Sequence, residues 1–445
     1  MSPTVVIGGG LGGLLAGAEL ARRGGEVVVL ESCGQPGGVA RSIVDNGWLF
    51  DPAAGSVILP HPALSPIVEA AGIAVEPATP AARRRFVYDR GSLSELSESP
   101  ATVFSPLLSW RGKARAVAEP FIRRTGDAAS DESLSAFLAR RFGPEAGRFV
   151  ATLMAHGVFA GDPAELSARA GFPAMVELED AAGSILRGAV RRLRARPKGA
   201  PRPRTHVTRG GMSEVADSLA EYLGPGFRPG REVSAIEQRG DGWVVHAGEE
   251  LEATNVIVTC SAAAAARFVP RELAGILSRS KTAPVAVVGL GGPAPDLPVP
   301  DGFGVLAGPA AAIRALGFLF ESQYAPGRAP RRHRLAKAIY GGAADRAISE
   351  LDDGDLVELA VAELGRVIGV TVRPSWVRVV RPGSGIPQYD VGHLRWLSEL
   401  DTELGRWRGL LLGGWCYRGI GLSGLAADAV RLADTVEGRR LDRKP

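Results

Sequence analysis

Short apolar runs and glycine clusters alternate along this chain, most clearly at its beginning. Residues 5–7 are Val-Val-Ile, five glycines fall within residues 8–13, and an Ala/Leu-rich stretch leads to a second apolar run that ends in Glu31. Uninterrupted apolar runs of this length are typical of strands in a parallel sheet, which is covered on both faces. The pattern predicts a strand, a tight glycine turn, a helix and a second strand.

Similar patterns continue through the rest of the chain, with a change of character in its middle. Residues of about 100 to 195 have helical features, interrupted by proline and glycine. After Thr208 an amphipathic helix is predicted, with apolar residues four positions apart. The runs 256–259 and 410–412 predict two further buried strands, and residues 422–436 predict a last helix.

The glycines of the opening turn have distinct predicted roles. Gly8 permits the tight turn, Gly10 lets the backbone approach a pyrophosphate, and Gly13 lets the helix pack closely against the strand. The N-terminus of that helix favours negative charge. Glu31 is placed to accept hydrogen bonds from a ribose diol and would repel a 2′-phosphate. The segment therefore predicts an adenine dinucleotide, FAD or NAD rather than NADP, and the alternative is a glycine-rich turn in the core.

The cofactor domain is expected to be discontinuous, because buried strands that meet glycines recur in the middle and at the end of the chain. Flavoproteins are often assembled in this way and purely NAD-linked dehydrogenases seldom are, which favours FAD over NAD. The expected fold class is α/β, with a Rossmann-like FAD-binding domain, a mixed α+β substrate domain and a helical insertion. The expected boundaries are 1–65, 208–268 and 408–445 for the FAD-binding domain, 66–100 and 269–407 for the substrate domain, and 101–207 for the helical domain.

Composition agrees with a protein of several domains. At 445 residues the chain exceeds the size at which one hydrophobic core stops growing. No run approaches the ~18 apolar residues of a spanning helix, and the first strand begins at Val5, so no signal peptide and a cytoplasmic protein are expected. The three cysteines lack C-x-x-C spacing and the six histidines lie singly, so neither disulfides nor a metal site is expected.

Positive charge is concentrated in one segment, although the net charge is only +4. One interpretation is a solvated face that leads into a flexible Pro/Arg connection, and the other is a surface for an anionic membrane or an acidic partner. Nucleic acid is not expected, because no aromatic residues are interleaved to stack on bases. The cations of the segment are Arg187, Arg191, Arg192, Arg194, Arg196, Lys198, Arg202 and Arg204.

Several motifs together resemble the flavin-containing amine-oxidase superfamily, and within it the oxygen-dependent protoporphyrinogen/coproporphyrinogen oxidases. Residues 5–42 resemble the family's FAD fingerprint with its Pro-Gly-Gly turn, and residues 84–88, RRFVY, resemble a strand beside the substrate. Residues 157–167, GVFAGDPAELS, and 385–393, GIPQYDVGH, are similar to two longer family signatures. With PDGFG at 300–304, the resemblance spans nearly the whole chain, and the two longer motifs are far more specific than a glycine loop.

The resemblance implies FAD as cofactor and a tetrapyrrole as substrate. Arg85 would pair with a substrate propionate, and Phe303, Gly304, Leu306 and Ile339 would form a wall that holds the ring against the flavin. The alternatives are that Arg85 is a solvated member of an arginine run and that Phe303 and Leu306 are ordinary core residues. The implied FAD contacts are Gly8, Gly10, Gly12, Gly13, Glu31, Gly37, Gly38, Arg41, Val233, Gly414, Gly421, Leu422 and Ser423.

The chemistry implied by the resemblance is an oxidation in haem biosynthesis: hydride passes from carbon to the flavin, and O₂ reoxidises the flavin to give H₂O₂. No catalytic side chain is expected, because the cofactor carries the difficult step. The last helix is expected to direct its N-terminal N–H groups at the flavin pyrimidine. The resemblance leaves open a peripheral membrane contact, for which residues 107–124 have an interfacial composition, and a homodimer.

Two segments depart from the family pattern, both where flavin and substrate would meet. They are Pro52–Ser56 and Leu422–Leu425. Three hypotheses follow: a porphyrinogen oxidase, an FAD oxidase or desaturase acting on an amine, polyene or secondary metabolite, and a flavin-binding protein that has lost turnover.

Overall fold

The computed structural model describes residues 2–96, 107–123, 131–197 and 199–441. Its strands are β1 (Thr4–Ile7), β2 (Val27–Leu30), β3 (Ile43–Asp45), β4 (Trp48–Phe50), β5 (Val57–Leu59), β6 (Glu76–Pro77), β7 (Arg85–Asp89), β8 (Ser92–Leu96), β9 (Arg204–Val207), β10 (Phe227–Arg228), β11 (Ala235–Arg239), β12 (Gly242–His246), β13 (Glu250–Ala253), β14 (Asn255–Val258), β15 (Thr282–Ala283), β16 (Val285–Pro293), β17 (Gly304–Ala307), β18 (Gly317–Leu319), β19 (His333–Gly341), β20 (Trp376–Val380), β21 (Ile386–Pro387) and β22 (Leu410–Leu412).

Helices connect these strands. They are α1 (Leu11–Arg22), α2 (Ser65–Ala70), α3 (Trp110–Val117), α4 (Leu134–Phe142), α5 (Pro144–Val158), α6 (Ala168–Gly171), α7 (Pro173–Ala182), α8 (Ile185–Ala195), α9 (Gly211–Leu223), α10 (Ala262–Ala265), α11 (Arg271–Leu277), α12 (Glu321–Tyr324), α13 (Asp353–Ile368), α14 (His393–Leu404) and α15 (Gly421–Leu441). Among the described helices, none combines the length and the apolar character that crossing a bilayer requires.

The chain divides into two compact units, each discontinuous in sequence. The first consists of residues 1–78, 202–280 and 396–445, and the second of residues 79–201 and 281–395.

A parallel sheet forms the centre of the first unit. Within the described residues it has five strands in the order β10-β2-β1-β14-β22, all parallel. Val6 packs on one face with α1, α9 and α15, while Val5 and Ile7 pack on the other face with residues of β12 and α14. Burial of both faces is the reason that β1, β2, β14 and β22 are mostly apolar. The predicted α/β class and the opening strand–turn–helix–strand unit are confirmed.

A mixed sheet forms the centre of the second unit. Within the described residues it has seven strands in the order β20-β16-β19-β18-β17-β7-β8, and β17 pairs with β7 in parallel while the other pairs are antiparallel. One face is buried against α13 through residues such as Phe86, Val305, Phe318 and Ala338. Because side chains alternate along a strand, the residues between these point to the opposite face.

Helices α3 to α8 belong to the second unit and are held together by buried charges. The side chains of Arg141 and Glu119 form an ion pair with no exposed surface. Glu119 also accepts hydrogen bonds from the N–H groups of Ile185 and Leu186, 2.9 and 3.2 Å away, at the beginning of α8. The short 3-10 turn Glu119–Phe121 is therefore fixed beside α8.

The two units differ in places from the domain boundaries expected from the sequence. Residues 66–78 and 396–407 were placed in the substrate domain, but Ile67 of α2 and Leu400 of α14 are buried in the cores of the first unit. The strand β9 lies within the segment expected to be helical and pairs with β5 and β6 of the first unit. The domain boundaries themselves stay a prediction, since packing contacts do not test independent folding.

Candidate functional site

The glycine turn between β1 and α1 leaves room for a ligand at one glycine and none at its neighbours. A Cβ atom at Gly13 would lie 1.8 Å from the carbonyl oxygen of Gly8, and one at Gly9 would lie 2.7 Å from Cβ of Glu31. A Cβ atom at Gly10 would have no described atom within 4 Å. Gly8 has φ of +112°, a conformation that favours glycine. The open side of Gly10 is where a pyrophosphate would lie, at the N-terminus of α1.

Glu31, at the end of β2, has its carboxylate fixed by backbone N–H groups. Its Oε2 accepts from the N–H of Gly9 at 2.6 Å, and its Oε1 accepts from the N–H of Cys33 at 2.8 Å. The side chain is buried, so its orientation is set by the protein before any ligand binds. A carboxylate oxygen has a second lone pair, and these oxygens can still accept from a ribose diol.

The turn that contains Gly37 and Gly38 packs directly on the first glycine turn. The N–H of Gly37 donates to the carbonyl of Gly9 at 2.8 Å, and a Cβ atom at Gly38 would lie 3.3 Å from Cα of Gly10. Arg41 donates to the carbonyl of Pro36 at 3.1 Å. The two glycine turns, which are far apart in sequence, thus border the same open space.

Buried Asp51 holds the following segment at the beginning of α9. Its Oδ1 accepts from the N–H of Met212 at 3.0 Å and from the hydroxyl of Ser42 at 2.5 Å. A carboxylate at a helix N-terminus is favoured by the orphan N–H groups there. Asp51 precedes Pro52–Ser56, one of the two segments that depart from the family pattern.

The C-terminal turn after β22 lies beside the beginning of α1. A Cβ atom at Gly12 would lie 3.3 Å from Cα of Gly414 and 3.4 Å from Cδ2 of Leu425. Gly414 donates its N–H to Oδ2 of buried Asp428 at 2.7 Å. Leu422 is buried, whereas Gly421, at the first position of α15, is exposed and has φ of +72°.

Two helix N-termini, those of α1 and α15, are therefore neighbours at the carboxyl edge of the parallel sheet. Each N-terminus has unpaired N–H groups and a partial positive charge. Each of the two N-termini can stabilise negative charge on the same ligand. The N-terminus of α1 would stabilise a pyrophosphate, and that of α15 would stabilise negative charge on a reduced flavin. The geometry fits FAD. Val233 follows β10 and lies near Glu31, the carboxylate that would bind the ribose of FAD. The N–H of Arg231, two residues before Val233, donates to the backbone carbonyl of Glu31 at 2.7 Å. Val233 is buried in the core that contains Val5 and Ile7, and Ser423, near the beginning of α15, is half-buried.

The thiols near this edge are not nucleophiles. Burial raises the pKa of Cys260 to about 12 and that of Cys416 to about 11. Both are protonated at neutral pH, and a thiol is a far weaker nucleophile than a thiolate.

In the second unit, four of the five predicted substrate residues lie on one face of the sheet. Gly304 pairs with Arg85, Leu306 pairs with Val87 and with Gly317, and Gly317 pairs with Ile339. Directly paired residues point to the same side, and this is the side opposite to α13. Leu306 and Ile339 are half-buried, and Ile339 packs against a small buried cluster that contains Ala160 and Leu316.

Phe303, the fifth predicted residue, borders this face. Its N–H donates to the carbonyl of Arg84 at 2.7 Å, and its ring centroid is 4.5 Å from that of buried Tyr324. The guanidinium carbon of Arg85 lies 5.5 Å from the Phe303 ring centroid, within cation–π distance. Arg85, Phe303, Gly304, Leu306 and Ile339 thus form one continuous surface, which we call the sheet face.

The two longest sequence motifs pack against each other, also in the second unit. The N–H of Ser167 donates to the carbonyl of Tyr389 at 2.8 Å, and Gln388 donates to the carbonyl of Phe159 at 2.9 Å. The rings of Phe159 and Tyr389 are 5.3 Å apart. Mutual packing explains why motifs more than 200 residues apart have such defined residue types.

Sequence reasoning missed three residues of the first-unit site. Gly9 leaves no room for a side chain because Glu31 lies against it, Asp51 fixes the loop to α9, and Asp428 fixes the C-terminal turn. The signal for Gly9 was the run of three consecutive glycines. The two aspartates gave no local signal, since their partners are 161 and 14 residues away.

Comparison with known proteins gives concordant results. The family model described as "Flavin containing amine oxidoreductase" matches residues 11–431. The chain is 27% identical to a chloroplastic protoporphyrinogen oxidase of Oryza sativa subsp. japonica, with 97% of this chain and 87% of the relative covered. It is 30% identical to protoporphyrinogen oxidase of Homo sapiens, with 98% of both chains covered, and 25% identical to coproporphyrinogen III oxidase of Bacillus subtilis, with 94% of both covered.

Solved structures share the fold. A structure from Exiguobacterium, provisionally described as a protoporphyrinogen oxidase, has a TM-score of 0.81 at 21% identity and covers 98% of this chain, which covers 99% of it. A putrescine oxidase bound to putrescine has a TM-score of 0.72 at 16% identity, with 99% of both chains covered. Similarity at this level establishes the fold and leaves the substrate to be argued from the site.

Proposed function

This chain belongs to the family of flavin containing amine oxidoreductases and is an FAD-dependent oxidoreductase, and we propose that its substrate is a porphyrinogen. In the proposed reaction, protoporphyrinogen IX or coproporphyrinogen III loses hydride equivalents, O₂ is the final acceptor, and the products are a porphyrin and H₂O₂. Porphyrinogens have propionate side chains on an apolar macrocycle.

The observation that carries the proposal is the near full-length similarity to relatives whose names contain these two porphyrinogens. The sheet face supports it independently. Leu306 and Ile339 make this face apolar, and exposed Arg85 places a cation at its border. An apolar surface with a cation at its border suits a flat apolar ring that has a carboxylate at its edge.

Each part of the site has a defined proposed task. FAD, when bound, accepts hydride. Arg85 binds a propionate, through a planar fork of N–H groups that matches a carboxylate. Leu306 and Ile339 exclude water from one side of the macrocycle, and Phe303 holds the Arg85 guanidinium in place by stacking. In the first unit, Gly10 and Glu31 hold the pyrophosphate and the adenosine ribose.

An assay of the purified, FAD-loaded protein tests the proposal. We expect coproporphyrinogen III or protoporphyrinogen IX in air to give porphyrin fluorescence above the autoxidation rate, with one H₂O₂ formed for each O₂ consumed. Putrescine and other amines serve as competing substrates. If amines reduce the flavin and porphyrinogens do not, the substrate belongs to another class. If no donor reduces the flavin, the protein has no turnover.

We also propose that the second unit meets an anionic membrane surface. Large apolar side chains there are exposed to solvent: Trp110 by 73%, Phe121 by 80% and Leu193 by 65%. Arg187 lies 6.0 Å from the Phe121 ring centroid, which joins the exposed residues of α3 and of the Glu119–Phe121 turn to α8. Exposed apolar groups surrounded by arginines are typical of helices that lie at a membrane interface. Lys198 of the basic run and Arg124 of the 107–124 stretch lie outside the described residues.

Vesicle sedimentation tests the membrane contact. Binding is expected to vesicles that contain phosphatidylglycerol, to weaken in high salt, and to be lost in a Phe121→Ser/Leu193→Ser variant. Val44, which is 75% exposed in the first unit, gives the control variant Val44→Ser. Equal binding of the two variants would refute this surface as the contact.

A further inference from the structure

His156 lies at the C-terminal end of α5, beside the sheet face, and has none of the roles described above. Its Nδ1 is 3.2 Å from the carbonyl oxygen of Ala307, the last residue of β17. Its neighbour Gly157 approaches the wall residue Leu306, since a Cβ atom at Gly157 would lie 3.5 Å from Cδ1 of Leu306. Helix α5 therefore brings an imidazole to the end of the strand that supplies two residues of the sheet face.

The contact with Ala307 determines which nitrogen is available for chemistry. A carbonyl oxygen only accepts hydrogen bonds, so Nδ1 has the hydrogen and donates it. In the neutral imidazole, Nε2 is then the acceptor. Burial lowers the pKa of His156, while the Ala307 carbonyl and Asp162 act in the opposite direction. The ring is thus held in the neutral tautomer that can take up a proton at Nε2.

The charged groups around α5 are mostly engaged elsewhere. On β7, Asp89 accepts from the N–H of Ala310 at 2.7 Å, and Arg85 stacks on Phe303. On α3 and α4, Arg115 donates to the carbonyl of Arg141 at 2.8 Å, and the Arg141 side chain pairs with Glu119. The described part of β17, Gly304–Ala307, contains no titratable side chain. Asp162 is the carboxylate that acts on His156.

We propose that His156 accepts, at Nε2, the proton that the porphyrinogen macrocycle releases in each oxidation step, from a pyrrole nitrogen in the first two steps and from a bridging carbon in the third. The inference rests on the proposed function. In one step, the C–H bond of a bridging carbon breaks and its electron pair leaves as hydride to FAD. The N–H bond of the adjacent pyrrole breaks, its pair stays on nitrogen, and a conjugated C=N forms. Each step therefore releases one hydride and one proton. In the third step the proton leaves from the last CH2 bridge, so three steps remove four bridge hydrogens and two pyrrole hydrogens and give a porphyrin.

Loss of hydride makes the macrocycle cationic, and this makes the pyrrole N–H acidic enough for a neutral imidazole to deprotonate. The proton then passes from His156 to solvent. Bound FAD would supply the hydride acceptor, and O₂ with two protons would take up the two electrons as H₂O₂. The role requires that His156 be neutral when substrate binds. Activity should therefore fall as the pH drops through its pKa.

The test compares His156→Asn with the wild-type holoenzyme. Asparagine can still donate to the Ala307 carbonyl but cannot accept the proton, so we expect kcat to fall about 100-fold, as is typical for loss of a general base. KM for porphyrinogen should change less than twofold, and the acidic limb of the kcat profile should disappear. The control is His206→Asn, since His206 also has its Nδ1 near a backbone carbonyl, that of Arg204 at 3.0 Å, but lies on β9 of the first unit.

A second measurement is independent of turnover and of variant folding. Imidazole ¹⁵N NMR of the wild-type holoenzyme, with His156 assigned among the six histidines, should give a neutral Nδ1–H tautomer at pH 7 and a shift of Nε2 when coproporphyrin is added. A charged ring at pH 7, an Nε2 signal that porphyrin leaves unchanged, or a variant with unchanged kcat and pH profile would each overturn the inference. Wild-type enzyme that oxidises no porphyrinogen would overturn the proposed function itself.

Discussion

The two candidate regions, one in each unit, differ in the groups that form them. The FAD cradle of the first unit is largely backbone: glycine turns, helix N-termini and one carboxylate that N–H groups hold. The sheet face of the second unit is made of side chains that come from separate strands and share a face through their register. The cradle would bind a pyrophosphate, a group common to many ligands, through its backbone. The sheet face would bind its ligand through side chains.

The difference implies that the two regions respond to substitution in opposite ways. In the cradle, adding atoms is harmful, because the ligand or the next backbone segment needs the space. On the sheet face, removing atoms is harmful, because the side chains themselves make the contacts. FAD binding and substrate recognition should therefore be separable by mutation.

The largest effect is expected from Gly10→Val. The residue has φ of −68°, which valine tolerates, and its Cβ direction is open, so the variant should fold normally. Its side chain would occupy the pyrophosphate position, and we expect a colourless protein with FAD affinity reduced at least about 100-fold, or ~2.7 kcal/mol. Absorbance at 450 nm and FAD titration measure this. Gly275→Val, an equally open glycine of α11, is the control, and a yellow Gly10→Val protein would refute the cradle.

Gly13→Ala should affect folding as well as FAD. Its Cβ atom would lie 1.8 Å from the Gly8 carbonyl, so either α1 or β1 must move. We expect the free energy of unfolding to fall by about 2–3 kcal/mol, the upper part of the range for overpacking. Urea denaturation measures it, with Gly10→Ala as the matched control. Equal stability of the two alanine variants would contradict the close packing of helix on strand.

Arg85→Ala tests the sheet face. Loss of a charged hydrogen-bonding partner typically costs about 2 kcal/mol, so kcat/KM for porphyrinogen should fall about 30-fold. FAD content should not change, because Arg85 lies on β7 of the second unit. Arg83→Ala, two residues earlier, is the control.

Esterified substrate makes the Arg85 test sharper. A porphyrinogen whose propionates are methyl esters should be oxidised at the same rate by the wild type and by Arg85→Ala. A 30-fold difference that persists with the ester, or a loss of FAD, would assign Arg85 to structure instead of recognition.

The sequence predicts the first glycine turn of the cradle because the information for that turn is local. Gly10, Gly13 and Glu31 belong to a single strand–turn–helix–strand unit, whose period and glycines can be identified from consecutive residues. The sheet face has no such local signal. That Arg85, Leu306 and Ile339 share one face depends on the pairing of β7, β17, β18 and β19, and a shift of one residue in any pair would turn a side chain to the other face. Only the family resemblance indicated these residues.

The compact units of the structure also depend on information that is not local. The segments 66–78 and 396–404 are short, and their assignment depends on which core buries Ile67 and Leu400. Amphipathic periodicity indicates that a face is buried but not against which partner. Asp428 was missed for the same reason, since its partner Gly414 belongs to the preceding turn.

Within the cradle, Asp428 is a side chain on which a backbone turn depends. Its substitution has the smallest effect that we predict. Burial raises its pKa, and Arg431 and the N–H of Gly414 oppose the rise. An acid whose folded pKa exceeds its unfolded pKa binds more protons in the folded state, so its contribution to stability falls as pH rises from the ordinary aspartate range through the folded pKa. Asp428→Asn, which keeps an acceptor for Gly414, removes this dependence.

The measurement is the difference in unfolding free energy between Asp428→Asn and the wild type, at several pH values from 4 to 8. In this difference the contributions of all other groups cancel. We expect the variant to gain stability relative to the wild type as pH rises from the ordinary aspartate range through the raised pKa of Asp428. A variant that instead loses stability at high pH would mean that the ion pair with Arg431 outweighs burial, and that even this side chain of the cradle is stabilised by its charge.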